Sequence, residues 1–381
     1  MESDSSRRNF LVAGLGLPVA ALANTAAPQA SQAPPARVPG AASPPAAAAR
    51  YRTLGRTGLK VSTVGYGCMI TSDSSVIARA VDLGITYFDT ARGYQHGNNE
   101  RMVGDALKGS RDKIVLSSKS EAKTAAEAVA QLDMSLKELG TDHLDIWYMH
   151  ARDTVAAIPD ELVTVWENAK QQGKIRHIGI STHKPNDIVD RVLAVGKFEV
   201  LLSTYSFAIG SANEPAYKRL TDAGIGLVAM KVMAPAARAR KPDGPLAALK
   251  WVLRDTRFAT TIPSMTDMDQ LEMNVRAMTE PFSAADEKLL ARIDEEIRPF
   301  YCRMCQQCSG QCPNGVPVPE TIRYLAYADF YGQFALGREH FLALPAETRA
   351  VRCRDCASCQ VRCPNGVHVV ERLMRAQDLF A

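Results

Sequence analysis

Eight of the nine cysteines stand at one repeated spacing. From Cys302 the chain reads CRMCQQCSGQCPNGVPV, and from Cys353 it reads CRDCASCQVRCPNGVHV; both are C-R-x-C-x-x-C-x-x-x-C-P-N-G-V-x-V. Three thiolates at i, i+3 and i+6 on a tight loop suit three corners of a cubane cluster. A fourth cysteine followed by proline supplies the remaining corner, usually that of the other cluster where two are present. The repeat therefore predicts two 4Fe-4S clusters held by Cys302, Cys305, Cys308, Cys312, Cys353, Cys356, Cys359 and Cys363, and with them one-electron chemistry. Two readings compete. Zinc prefers two separated cysteine pairs, and a disulfide framework belongs to small chains without a core.

A second set of reactive residue types lies upstream. Asp89, Tyr94, Lys119, His150 and Ser181 each follow or end a short apolar run. A tyrosine hydroxyl is a weak acid at neutral pH. A neighbouring lysine would lower its pKa, an aspartate would hold that lysine charged, and a histidine could orient a carbonyl oxygen. Together they suit protonation of an alkoxide as a hydride reaches its carbon. Singly, each has a structural reading as a cap, a rim cation or a satisfied core group.

The elements that must position them alternate. Candidate strands are Val64–Gly67, Thr86–Asp89, Ile114–Ser117, Leu144–Met149, His177–Ser181, Val200–Ser203, Gly226–Ala229 and Thr260–Pro263. Helical patterns such as Thr124–Leu139 and Pro159–Gln172 fill the gaps. Eight strands alternating with helices over about 250 residues predict an α/β fold, a (β/α)8 TIM barrel, with its chemistry on the loops after the strand C-termini. Cys68, ending the first strand, reads as a small buried hydrophobe rather than a reactive thiol.

The same segments resemble the aldo/keto reductase family. The resemblance rests on the opening Tyr51–Ser62 and on Phe88-Asp-Thr-Ala-Arg-Gly-Tyr94 continuing to Gly97 and Glu100. It continues in Ser118-Lys119, Leu144–His150, Gly179-Ile-Ser181, Ala229-Met230-Lys231 and Ile262-Pro263 through Asn274. It implies that Tyr94 is the general acid, that Lys119 and Asp89 tune it and that His150 orients the substrate, a small carbonyl or alcohol. It further implies a nicotinamide cofactor, NADP(H) or NAD(H), held by Ser181, Thr182, Met230, Lys231, Ser264, Thr266, Gln270 and Asn274. Many NADPH-dependent members of the family carry lysine where Ser264 stands and arginine where Gln270 stands. Both are neutral here, and Asp267 and Asp269 add negative charge, so the choice between the two nucleotides stays open. Leu202 replaces a common nicotinamide-contacting glutamine, and Thr182 a frequent asparagine.

Apolar content of 46% and charged content of 23% are those of an ordinary globule. A net charge of +4, with no basic run interleaved with aromatics, argues against nucleic acid. At the amino terminus, Arg7-Arg8 precedes the apolar stretch Phe10–Ala23. This layout predicts a twin-arginine signal over residues 1–30, cleaved after Ala23 or near Ala30, or retained as an anchor. An Ala/Pro-rich tether over 31–50 follows, with no membrane span in the mature chain. A periplasmic or exported destination follows, reached after the clusters are inserted in the cytoplasm.

The barrel is expected over 51–298 and a small α-helical 4Fe-4S ferredoxin-like domain over 299–381. Within the latter, Thr321–Leu336 and Val369–Phe380 read as helices whose aromatics wrap the clusters and dock on the barrel. The leading reading is an exported oxidoreductase that interconverts a carbonyl and an alcohol, coupled through its clusters to an external redox partner. The alternative is an electron-transfer or redox-sensing subunit whose barrel binds nucleotide or a partner without turnover. The mismatch between one-electron clusters and hydride pairs is a question for either reading.

Overall fold

Leu144–Met149 shows why this sequence makes a barrel. Trp147 and Met149 point into a layer of helices, whereas Ile146 and Tyr148 point into the barrel interior. Strands with period-two side chains buried on both faces need a helix layer outside and a filled barrel inside. The computed structural model describes residues 50–239 and 241–381. The predicted signal and tether therefore lie outside the described residues, apart from Arg50.

An antiparallel hairpin, β1 (Tyr51–Thr53) and β2 (Lys60–Ser62), leads the chain. Eight parallel strands follow in sequential order: β3 (Tyr66–Gly67), β4 (Tyr87–Asp89), β5 (Val115–Ser120), β6 (Leu144–Met149), β7 (Ile175–Thr182), β8 (Val200–Thr204), β9 (Gly226–Met230) and β10 (Phe258–Thr261). Single bridges Val64↔Thr261 and Gly67↔Ser264 join the first strand to the last and close the ring. Gly67 is required at this seam, because a Cβ there would meet the Ile262 carbonyl oxygen at 2.5 Å. The last strand ends before the predicted Pro263. Proline has no N–H for the ladder, and its carbonyl instead accepts from the Gly67 amide at 2.9 Å. At the other boundary β3 begins two residues later than predicted, with Val64 left as an isolated bridge.

Between the strands run α1 (Ser74–Asp82), α2 (Asn98–Leu107), α3 (Ala125–Leu139), α4 (Asp160–Gln171), α5 (Pro185–Val195), α6 (Glu214–Asp222), α7 (Ala234–Arg238), α8 (Gly244–Leu253), α9 (Met268–Arg276) and α10 (Ala284–Ile297). The predicted helix from Thr124 is α3 with Thr124 as its N-cap in a capping box with Glu127, closed by Gly140 at φ 62°. Trp147 and Trp166 stack at 3.8 Å and tie β6 to α4. Leu54 and Val61 of the hairpin join the inner core with Tyr87, Tyr148 and Leu202, so Leu202 fills the barrel.

The tail adds α11 (Val318–Tyr331), α12 (Phe334–Leu342), α13 (Ala346–Ala350) and α14 (Val369–Phe380). The last matches its predicted span. The helix predicted over Thr321–Leu336 is instead two, because Gly332 turns the chain at φ 65°. Helix α11 packs on α12 and α14 and touches α7 of the barrel. No helix among the described residues is long and apolar enough to cross a membrane.

Candidate functional site

The ends of β4 and β5 bring the first three candidate groups together. Lys119 Nζ donates to Asp89 Oδ2 at 2.5 Å, to the Thr90 carbonyl at 2.7 Å and to Tyr94 Oη at 3.3 Å. Asp89 also accepts from Ser117 Oγ at 2.7 Å, and both ionic partners are buried. Burial disfavours the Lys119 ammonium, but Asp89 and Tyr94 outweigh it and hold its pKa up. The buried Glu100 anchors the tyrosine loop, contacting Arg92 at 2.6 Å and accepting from Ser118 Oγ at 2.5 Å.

The electrostatic help expected for Tyr94 is present but outweighed. The lysine does lower the Tyr94 pKa, but burial of the phenolate dominates, with Asp89 adding to it, and the hydroxyl is pushed up to about 12. Desolvation of an anion in a covered pocket exceeds what one nearby cation returns. Cys68 is likewise fully buried and pushed up by burial and Asp89, the environment of an inert thiol.

His150 follows β6, its ring edge-on to Tyr94 with centroids 6.0 Å apart. Its Nδ1 lies 2.9 Å from Glu121 Oε1, and this contact holds the Glu121 carboxyl down at about 2. Sequence reasoning missed Glu121, although its place two residues after Lys119 was a usable signal. Among the described residues, the non-glycine residues with positive φ are Gln95, His96, Ala151, Lys231, Met304 and Gln306. All but His96 adjoin or are predicted site residues, and strain of this kind concentrates where surrounding contacts over-determine a site.

The residues predicted to hold a nicotinamide fall into two groups. Ser181 Oγ accepts from the Ala151 amide at 2.8 Å, and Thr182 Oγ1 donates to Asp153 Oδ1 at 3.0 Å. Met230 ends β9, one strand removed from β7 across β8, and Lys231 follows it. Ser264 and Thr266 lie on the turn into α9, and Gln270 and Asn274 within that helix. Thr266 and Gln270 are engaged with Asp267, the N-cap of α9, so one of the two local aspartates has a structural role. Asn274 is fully buried, and neither amide atom has a partner. An unsatisfied buried amide costs about 1–3 kcal/mol, and the edge of a nucleotide base would satisfy both atoms. The residues present therefore fit a nicotinamide nucleotide.

Helix α11 lies over the same mouth. Arg323 Nη1 donates to Asp153 Oδ2 at 2.6 Å, and Lys184 Nζ to Glu320 Oε1 at 2.6 Å. Lys231 Nζ sits over the rings of Tyr327 and Tyr331, at 4.5 and 4.6 Å from their centroids. Burial, with Arg323 nearby, pulls Lys231 down to about 7. From there an aromatic series leads away: Tyr327 is 6.0 Å from Tyr331, whose buried hydroxyl faces that of Tyr301, the neighbour of Cys302. The aromatics of α11 thus dock on the barrel.

The wrapping of the cysteines falls to valines. Val316, Val318, Val367 and Val369, the V-x-V of each repeat, pack around Cys302, Cys308, Cys312, Cys353, Cys359 and Cys363. The thiols sort across the repeats. Cys302 and Cys308 are pushed up by burial and by the charges of Cys305 and Cys363; Cys353 is pushed up by burial and by Cys356, Cys312 and Cys359. The asparagine of each C-P-N-G follows the same crossing: Asn365 Nδ2 lies 3.2 Å from Cys305 Sγ, and Asn314 Nδ2 lies 3.7 Å from Cys356 Sγ. All are free cysteines. Among the described residues no three His, Cys, Asp or Glu side chains converge on a single ion. Two sets of thiols that act on one another across the repeats, each with an amide donor to sulfur, suit the donor set of a cubane.

Residues 71–245 match the aldo/keto reductase family, and residues 301–368 match the 4Fe-4S dicluster domain. The barrel is an aldo/keto reductase domain. An uncharacterized oxidoreductase of Bacillus subtilis is 35% identical over 160 residues, 38% of this chain and 52% of the relative. The L-galactose dehydrogenase of Arabidopsis thaliana is 28% identical over 301 residues, 65% of this chain and 94% of that enzyme. Among solved structures, the holo form of the aldo-keto reductase AKR11C1 from Bacillus halodurans has a TM-score of 0.56 at 27% identity, covering 64% of this chain and 96% of that one. The chain is accordingly an oxidoreductase that carries an aldo/keto reductase domain over residues 71–245 and a 4Fe-4S dicluster domain over residues 301–368.

Proposed function

We propose that the aldo/keto reductase barrel interconverts a small carbonyl compound and its alcohol, with Tyr94 as general acid and base. The carrying observation is Lys119 Nζ held between Asp89 and Tyr94 Oη at 2.5 and 3.3 Å. Lys119 stabilises the phenolate left when Tyr94 gives its proton to the developing alkoxide, and Asp89 keeps that lysine charged. In the oxidative direction the phenolate takes the proton back. His150, set edge-on to Tyr94 and steadied by Glu121, orients the carbonyl oxygen. A bound nicotinamide supplies or accepts the hydride, and bound 4Fe-4S clusters supply or accept single electrons. Ser181, Thr182 and Met230 would hold the nicotinamide end; Ser264, Thr266, Gln270 and Asn274 would hold the nucleotide end.

Two clusters are proposed, one on Cys302, Cys305, Cys308 and Cys363, the other on Cys353, Cys356, Cys359 and Cys312. The aromatic series Tyr327–Tyr331–Tyr301 supports coupling between the mouth and the nearer cluster, with an external redox partner serving the pair. Export by the twin-arginine route rests on Arg7-Arg8 and the apolar stretch that follows. A periplasmic fraction that loses the protein on Arg7→Lys/Arg8→Lys substitution would bear it out.

A second reading has the barrel binding nucleotide without turnover, favoured by α11 lying over Thr182 and Lys231. One experiment separates the two. Anaerobic protein with oxidised clusters is mixed with NADH or NADPH and a panel of aldehydes. Nucleotide oxidation that tracks aldehyde loss supports the reductase, whereas nucleotide binding without consumption favours the second reading. Reduced-cluster EPR signals in the same samples report coupling.

A further inference from the structure

Lys231 makes no direct ion pair: the one carboxylate that acts on it, Asp153, is itself paired with Arg323. Among the described residues it has no ion-pair or hydrogen-bond partner, and its ammonium contacts only the faces of Tyr327 and Tyr331. The other cations described around the mouth are engaged: Lys119 is paired with Asp89, Arg323 with Asp153, and Lys184 with Glu320. Arg152, nearly buried beside Glu121, donates through Nη2 to the Ala122 carbonyl, but its buried Nε has no partner. The mouth thus holds surplus positive charge and unused donors. Half-burying a lysine without an anion is unfavourable, and Lys231 is also held at φ 60°, which adds strain. A ligand anion would offset the first of these costs.

The position favours the substrate end over the nucleotide phosphates. The charged groups acting on Lys231 are Arg323 and Asp153, and it acts in turn on His183. All belong to the β6 and β7 loops or to α11, none to the turn that carries Ser264 to Asn274. Tyr327 links this corner to the tetrad, since its ring faces Lys231 and its hydroxyl influences Tyr94.

We propose that the substrate is a carbonyl compound bearing a carboxylate or phosphate, its anionic group held by Lys231 beneath Tyr327 and Tyr331 while its carbonyl faces Tyr94. The inference rests on the reductase reading and makes α11 of the dicluster domain part of the substrate site. Substrate choice is then set by a charge-assisted contact that a neutral analogue cannot make.

The test uses the full chain with clusters loaded and two matched pairs: benzaldehyde with 4-carboxybenzaldehyde, and glyceraldehyde with glyceraldehyde 3-phosphate. The charged member should be favoured in kcat/KM by about tenfold or more, chiefly through KM. Lys231→Met should bring that ratio near unity, and Lys231→Arg should restore part of it. Loss confined to one pair identifies carboxylate or phosphate as the source. Equal use of both members, or a preference that survives Lys231→Met, overturns the proposal. So does a variant whose only defect is weaker nucleotide binding, which would assign Lys231 to the cofactor. If none of the four aldehydes reacts, the reductase reading fails instead, and calorimetric binding of 4-carboxybenzyl alcohol decides alone. Binding lost in Lys231→Met supports the anion site; absent or unchanged binding refutes it.

Discussion

Arg323 of the dicluster domain and Asp153 of the barrel form a largely buried ion pair, Nη1 to Oδ2 at 2.6 Å. Asp153 also accepts from Thr182 Oγ1 and from the His183 amide at 2.7 Å, so one carboxylate ties the strand end predicted to face the nicotinamide to helix α11. Arg323→Ala leaves that carboxylate buried without its arginine partner. Stability should fall by about 3–5 kcal/mol, the range for breaking a buried pair from one side. Thermal unfolding followed by circular dichroism gives the number, and a loss below about 1 kcal/mol would show that α11 is held mainly by other contacts.

Tyr94→Phe removes the proposed proton donor and little else, because Tyr94 Oη has Lys119 as its hydrogen-bond neighbour. Carbonyl turnover should drop about 100- to 10,000-fold with the visible absorbance of the clusters unchanged. Turnover near the wild-type rate would remove Tyr94 from the mechanism.

The pH profile of the reaction follows from the same residue. With its pKa raised to about 12 by burial, Tyr94 keeps its proton through the neutral and moderately alkaline range. Reduction should therefore be flat with respect to this group between about pH 7 and pH 10, and oxidation should rise toward alkaline pH as the phenolate is populated. A reductive rate that falls along a titration near neutrality would assign the proton donor to another group.

Asn314 and Asn365 should tune different clusters. An N–H donor to a cluster thiolate stabilises the reduced, more negative state and raises the potential. A bond of about 0.5–1.5 kcal/mol corresponds to roughly 20–60 mV for one electron. Asn365→Ala should lower the potential of the cluster on Cys305, and Asn314→Ala that of the cluster on Cys356, with the larger shift for Asn365 at 3.2 Å than for Asn314 at 3.7 Å. EPR-monitored redox titration distinguishes the two, and both variants moving the same signal would contradict the crossed arrangement.

Acid sensitivity should centre in part on Glu199. Burial opposes its ionisation, but bonds from His177, Lys170 and the Ile178 amide outweigh it and hold the carboxyl at about 2 instead of 4.5. A carboxyl with a lowered native pKa binds its proton more readily when unfolded. Its contribution of about 1–3 kcal/mol is therefore present above pH 4.5 and lost as pH falls toward 2. Glu199→Gln should flatten that part of the stability curve, which denaturation midpoints across pH 2–6 would reveal.

Much of this architecture was legible in residue patterns. Leu144–Met149 alternates so regularly between helix layer and barrel interior that its strand limits were predicted to the residue, and Thr124 with Glu127 announced the start of α3. The cysteine repeat announced the dicluster domain, and the contacts of Asn365 with Cys305 and of Asn314 with Cys356 run between the two copies. Boundaries failed where a single residue overrode composition, as Gly332 did in splitting the tail helix and Pro263 in ending β10.

Tertiary structure decided the rest. Lys119 meeting Tyr94, twenty-five residues earlier in the chain, was expected from strand order, but the sign of the Tyr94 pKa shift was not. That sign depends on how much water the surrounding elements exclude, which no local pattern records. Likewise TIRYLAYADFY specifies a helix with aromatics on several faces. That Arg323 meets Asp153, and that Lys231 lies over Tyr327 and Tyr331, depends on how two separately encoded domains pack, a sum of many weak contacts between residues far apart in the chain.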